Sequence, residues 1–270
     1  MHKSMTREDS ADLHRAKALL EHPGLLIQAA NLLGSPIESI ISKRLPKRVT
    51  AVIERASSAA VSAAFNAAAV TLRKDKSGTP SRNWAHTALA VGAGAAGGFF
   101  GVAGLAIELP FTTATMLRSI ADIARSQGED PHEMATRMAC IEVLALGGTS
   151  KSDDGAESGY FATRAALAQQ VSAVTRHIAS HGLAGRSSPA AVRLIQSVAN
   201  RFSVPVTQKV LAEAVPIIGA LTGAALNGIF MAHFQRAAQG HFIVRRLERK
   251  YGVGPVKKAY DALGVQADLS

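Results

Sequence analysis

The chain has 270 residues, with 30 lysines and arginines against 20 aspartates and glutamates and a formal net charge of +10. Its single cysteine, Cys140, excludes an internal disulfide, and an aromatic content of 5% leaves few rings to interleave with the basic groups, which argues against a nucleic-acid binder. The positive charge suits an anionic partner, and an alanine-rich sequence with little alternation of β-branched and polar residues predicts an all-α protein of one or two domains.

The N-terminus, MHKSMTREDSADLHRAK, lacks the continuous apolar core of a signal peptide, so a cytoplasmic location is expected, associated with the cytoplasmic membrane. Residues 1–73 form the first region, read as two or three amphipathic helices punctuated by Pro23-Gly24 and Gly34-Ser35-Pro36. Lys43, Arg44, Lys47 and Arg48 make a basic cluster around Pro46. Residues 74–82 combine charge with Gly and Pro and read as a linker to a glycine-rich body over 83–270. The body and the N-terminal helices are expected to form one continuous globular unit.

Residues 88–107, ALAVGAGAAGGFFGVAGLAI, carry no charge. About twenty residues in a helix span about 30 Å, the thickness of a bilayer's hydrocarbon core. Gly92, Gly94 and Gly97 make a literal G-x-G-x-x-G, but no β-branched strand precedes it and no carboxylate stands about twenty positions on, as a dinucleotide fold requires. The pairs Gly94/Gly98 and Gly97/Gly101 have instead the spacing that lets two helix backbones approach closely. Insertion into lipid and a hairpin buried in a soluble bundle both accommodate this stretch, which Glu108-Leu109-Pro110 is expected to close.

A helix is predicted from Pro110 to Arg125, with proline in its first turn and Gly128 as its stop. Met116, Leu117, Ile120, Ala121, Ile123 and Ala124 fall on one arc. Thr112, Thr115, Arg118, Ser119, Asp122, Arg125 and Ser126 fall on the other, where short hydroxyls suit a crowded surface and Arg118 can pair with Asp122. Residues 137–146 predict an apolar helix ended by Gly147-Gly148, with Cys140 in the core and Glu142 as an interior carboxylate that needs a partner. If the following segment is helical, Asp153, Glu157, Tyr160 and Arg164 share one stripe, which can bind a polar ligand, support acid/base chemistry, or simply pair within itself.

A second break is expected around residues 181–189, with a long C-terminal region beginning near Ser203. Residues 214–232 are the second uncharged, glycine-containing stretch, with Gly219 and Gly223 repeating the small-residue spacing, and the two stretches are expected to pack on each other. Asn227, Phe234, His241 and Arg245 share one helical face beyond it. His233 and His241 do not make a zinc-site pair, and no GxSxG elbow, Walker loop or paired CxxC occurs, so no metal, cofactor or catalytic set is assigned. In the run from His241 to Lys258, the apolar anchors Phe242, Ile243, Leu247 and Tyr251 accompany six basic residues and one acid, Glu248. Arg245, Arg246, Arg249 and Lys250 are the candidates for contact with anionic headgroups.

Three blocks resemble the EcsC protein family: residues 97–130, GGFFGVAGLAIELPFTTATMLRSIADIARSQGED; residues 139–167, beginning ACIEVLALGG; and residues 205–252, beginning PVTQKVLAEAVP. Leu19-Leu20-Glu21-His22-Pro23 and Gly34-Ser35-Pro36 fit the family's N-terminal pattern. The resemblance implies a bacterial helical protein and, through the transporter operon for which the family is named, work near ABC transporter components or export; it supplies no catalytic residues. The expectation is thus a multi-helix bundle around two Gly-rich apolar helices, acting as a membrane-associated accessory protein that binds lipid or an apolar ligand. The alternative is a soluble, hydrolase-like enzyme using polar residues such as Glu108, Asp122, Glu157, Tyr160 and His241.

Overall fold

The structure is a computed structural model that describes residues 4–21, 25–34, 45–70, 101–148, 159–181, 188–213 and 220–263. Among these residues there are nine helices and no strand, as the composition predicts: α1 (Arg7–Leu20), α2 (Leu25–Leu33), α3 (Lys47–Val70), α4 (Gly101–Ser126), α5 (Met134–Leu146), α6 (Gly159–His181), α7 (Pro189–Glu213), α8 (Ala220–Tyr251) and α9 (Val253–Ala262).

The larger core lies between α3, α4, α5, α7 and α8, with one face of α6 against it. Ala56, Ala60, Ala64 and Ala68 follow one another at four-residue steps on α3 and are all buried. That stripe of small side chains lets α4 lie close along α3. Phe202 of α7 meets Phe230 and Phe234 of α8 with ring centroids 6.1 and 5.4 Å apart, in tilted contacts that fill the centre.

Two expectations about helix limits are corrected. Pro110 does not open a helix; it lies inside α4, which runs unbroken from Gly101. The carbonyl four residues back belongs to Ala106, which is exposed, so water can serve the group that proline cannot. Likewise no boundary falls near Ser203, because α7 continues through Pro205 to Glu213. The hydroxyl face of α4 is a helix contact: Thr112, Thr115 and Ser119 are buried, and Ser119 Oγ accepts a hydrogen bond from Gln235 Nε2 of α8 at 2.9 Å.

A second core joins α1, α9, the start of α6 and the end of α8 through Leu13, Tyr160, Phe161, Val244, Leu247 and Tyr260. α1 runs antiparallel to α8, since Asp9 meets Lys250, Asp12 meets Arg246, and Ala16 and Leu20 meet Gly240. A Cβ at Gly240 would stand 2.6 Å from Leu20 Cγ and 2.9 Å from the Ala16 carbonyl oxygen, so only glycine allows the two helices this spacing. The charges complement the dipoles: acids in the first turn of α1 face bases in the last turn of α8. Gly252, at φ +90°, then turns the chain into α9. Lys17 closes the assembly by donating from Nζ to the carbonyls of Tyr260 and Leu263 at the end of α9.

Candidate functional site

Tyr160 and Arg164, which the sequence puts on one stripe, come together in the structure with His241, which it singles out apart from them. Tyr160 and Arg164 stand one turn apart near the start of α6, and His241 faces them from α8. Arg164 Nη1 donates to Tyr160 Oη at 3.2 Å, and Tyr160 Oη lies 3.1 Å from His241 Nδ1. A guanidinium can only donate, so the phenol accepts from Arg164, which leaves its own O–H free to donate to Nδ1. With that proton given to Nδ1, a neutral His241 carries its own on Nε2, which is buried and has no hydrogen-bond partner among the described residues.

Glu248 completes the set. Its two carboxylate oxygens accept from Arg164 Nη1 and Nη2 at 2.8 and 2.9 Å, a bidentate pair with the Glu248 side chain 7% exposed. His241, Arg245 and Glu248 occur at spacings of four and three on α8, so one helix face carries all three. The lone acid in a basic run was the sequence signal for Glu248. Glu142 of α5 is buried beside the same cluster, and burial raises its carboxyl although Arg164 and Arg245 favour the charged form.

Burial also pushes the Tyr160 phenol well above its ordinary range and holds His241 well below 6.5, with Arg164 and Arg245 adding to the histidine shift. Both directions favour the neutral groups, opposite to what a phenolate nucleophile or an imidazolium acid requires. Chemically the arrangement is a clamp that fixes α6 to α8.

The histidine makes acid stability testable. Unfolded, His241 takes a proton near pH 6.5; folded, it does so only at much lower pH. Stability is therefore fully present above 6.5 and is lost as pH falls below that value toward the folded pKa. Glu142 works the other way, because a raised carboxyl pKa favours the fold as pH falls toward 4.5. Comparing wild type with His241→Gln isolates the histidine: from pH 7 to 5 the wild type should lose up to about 1.4 kcal/mol per pH unit relative to the variant in urea melts. Parallel pH profiles would show that His241 is not held neutral.

Asp153 and Glu157 lie outside the described residues, as do Gly94, Gly97, Gly98 and Gly219, while Gly101 opens α4 and Gly223 lies near the start of α8. The polar candidates on α4 serve elsewhere. Glu108 pairs with Lys209 of α7 at 2.6 Å, with side chains 9% and 2% exposed, and Lys209 also reaches Glu213 at 3.5 Å. Asp122 pairs with Arg125 at 3.1 Å, and Arg118 lines a cleft between α3, α4 and α5.

The four basic candidates on α8 each have a carboxylate within the chain. Arg245 and Arg249 hold Glu129, on the connection between α4 and α5, and Thr136 Oγ1 donates to the same carboxylate at 3.0 Å. Burial works to raise Glu129, but the two guanidiniums outweigh it and hold the carboxyl below its ordinary value. Arg246 pairs with Asp12, and Lys250 donates to Asp9 at 2.6 Å. The contact with Lys250, joined by the hydroxyls of Tyr251 and Thr6, holds Asp9 well below the usual carboxylate range. Asp9, Asp12 and Glu129 escaped the sequence reading because they lie more than a hundred residues from their partners.

At the opposite end of α8, large apolar side chains face outward. Ile107 is 82% and Phe111 is 52% exposed, one turn apart on α4. Ile27 and Leu32 of α2 are also exposed. The Glu108–Lys209 pair and the contact of Ala29, Ala212 and Leu226 bring α2, the first turns of α4, the end of α7 and the start of α8 to this one end. Among the described residues, no helix is long and apolar enough to cross a membrane, and no three His, Cys, Asp or Glu side chains are grouped to hold a metal ion.

Against known proteins, the model of the EcsC protein family matches residues 11–247. No curated protein and no solved structure matches the chain.

Proposed function

The chain belongs to the EcsC protein family, and from that premise we propose that it is a helical accessory protein working at an anionic membrane surface, on the cytoplasmic side. The end where α2, α4, α7 and α8 meet is its lipid-facing surface, and ABC transporter components are the partners such a position would bring within reach. The observation that carries this reading is the outward exposure of Ile107 and Phe111 on one face of α4. Chain connectivity adds to it: residues 88–100 lead into α4 here, and residues 214–219 join α7 to α8 here, so both uncharged stretches adjoin the same end. The net charge of +10 favours anionic over neutral lipid. No observation among the described residues favours the hydrolase-like alternative, since the Tyr160–His241 pair is buried and held neutral.

The test is flotation with vesicles of phosphatidylglycerol and phosphatidylcholine. Wild type should float with mixed vesicles and not with phosphatidylcholine alone, and binding should weaken as salt rises. Burying the exposed parts of Ile107 and Phe111 supplies about 2–4 kcal/mol together, so Ile107→Asp/Phe111→Asp should reduce partitioning by about thirtyfold or more. Both side chains are exposed, so the melting temperature should stay within about 2 °C of wild type. Failure of wild type to float, or equal flotation of the folded double variant, would remove the proposal.

A further inference from the structure

We propose that His177 and His181, at the end of α6, form a two-point site for a divalent d-block metal ion such as zinc. The inference is independent of the lipid-surface reading, because the pair shares no residue with Ile107 and Phe111.

The two histidines stand four residues apart on α6, so one helix face carries both rings on consecutive turns. Their ring centroids are 4.3 Å apart and their planes 19° from parallel. His177 is half-buried and His181 is exposed, so an ion reaches them from solvent without opening the fold. Zinc–nitrogen bonds of about 2.0–2.1 Å place two ligand nitrogens about 3 Å apart, a separation that rings in stacked contact attain when one turns about its Cβ–Cγ bond. The helix holds the second imidazole beside the first, so its coordination is an intramolecular step.

The hydrogen bonds at His181 select the nitrogen that is offered. Nδ1 lies 3.2 Å from the His177 carbonyl oxygen and 2.8 Å from Ser180 Oγ. A carbonyl can only accept, so that contact has the proton on Nδ1. Ser180 Oγ lies 3.1 Å from the carbonyls of Arg176 and His177; its hydrogen goes to one of them, and its oxygen accepts from Nδ1 as well. A neutral His181 then carries its lone pair on Nε2, as a metal ligand must. An N–H bond to a backbone carbonyl is the usual support behind a metal-bound imidazole, where it fixes the ring and raises its basicity.

The pair also sits where positive charge is favoured, at the C-terminal end of α6 and so at the negative end of its dipole. Among the described residues no third His, Cys, Asp or Glu joins it, so the remaining coordination positions fall to water. Two imidazoles with water suit zinc, nickel or copper, whereas magnesium and calcium take oxygen ligands.

The experiment is calorimetric titration of the untagged full chain with zinc chloride, and with magnesium chloride as the control for charge alone. Zinc should bind saturably at one ion per chain, and magnesium should give no heat. His177→Gln and His181→Gln should each weaken zinc by at least about tenfold, and the double variant should lose little more, since one ring alone has no chelate advantage. His132→Gln removes an exposed histidine elsewhere and should bind zinc like wild type. Ile107→Asp/Phe111→Asp should also bind zinc like wild type, which keeps a failure of this inference distinguishable from failure of the lipid surface. Should His177→Gln not fold, His181→Gln, at an exposed position, carries the comparison. No saturable heat with zinc up to millimolar concentration, or unchanged zinc binding by folded His181→Gln, would overturn the proposal.

Discussion

Gly148→Ala is expected to destabilise the protein by about 3 kcal/mol or more, a drop of about 6–12 °C in melting temperature for a chain of this size. A Cβ at Gly148 would stand 2.1 Å from the carbonyl oxygen of Arg201 and 2.7 Å from its carbon. Those are backbone atoms, so no rotamer change relieves the contact. Pro205, four residues along α7, has no N–H to draw that carbonyl back into the helix, and the carbonyl points at the end of α5 instead. The neighbouring position is as tight: a Cβ at Gly147 would meet the Phe234 ring at 2.4 Å, and the Gly147 carbonyl lies 2.8 Å from His233 Nε2, which donates to it. Making room would mean moving α5 from both α7 and α8. Gly254→Ala is the control, with nothing within 4 Å of its added carbon. A melt of Gly148→Ala within about 2 °C of wild type would show that α7 yields at its proline.

The second large effect is expected at Arg164. Arg164→Met keeps much of the side chain's volume but leaves Glu248 without its bidentate partner, beside Glu142, with both carboxylates buried. Breaking a buried ion pair from one side costs about 3–5 kcal/mol, because the remaining charge has neither water nor a counterion. In this chain that corresponds to a loss of about 6–20 °C. Tyr160 Oη also loses the donor that orients it toward His241. Arg164→Met/Glu248→Met should recover most of the stability, since removing both charges removes the desolvation penalty along with the attraction. If the double variant is no more stable than the single one, packing rather than charge is what Arg164 supplies.

Several features needed only the sequence. Helix period is local, so the inward face of α8 was legible from Asn227, Phe234, His241 and Arg245 at spacings of seven, seven and four; the first three are fully buried. Cys140 was placed in the core by its apolar neighbours, and Gly147-Gly148 ended α5 where expected. The all-α class followed from alanine content and the absence of alternation. The family followed from three long blocks, and the match over residues 11–247 covers the first two and the third as far as residue 247.

Tertiary structure decided the rest. Pro110 reads as the first turn of a helix, where proline's missing N–H costs nothing, and a region boundary reads near Ser203; packing on neighbouring helices outweighs the local cost of proline, and both Pro110 and Pro205 lie inside long helices. The basic run of α8 reads as an open cationic surface, because its partners Asp9, Asp12 and Glu129 reach it only through the antiparallel docking of α1 and the turn between α4 and α5. Arg164 was legible on a stripe with Tyr160, but its bond to Glu248 spans 84 residues. Spacing along a chain states which side chains share a face. Which charges meet depends on how those faces are brought together, and that follows from the shape of the buried surfaces, down to the single missing Cβ at Gly240 that lets α1 settle against α8.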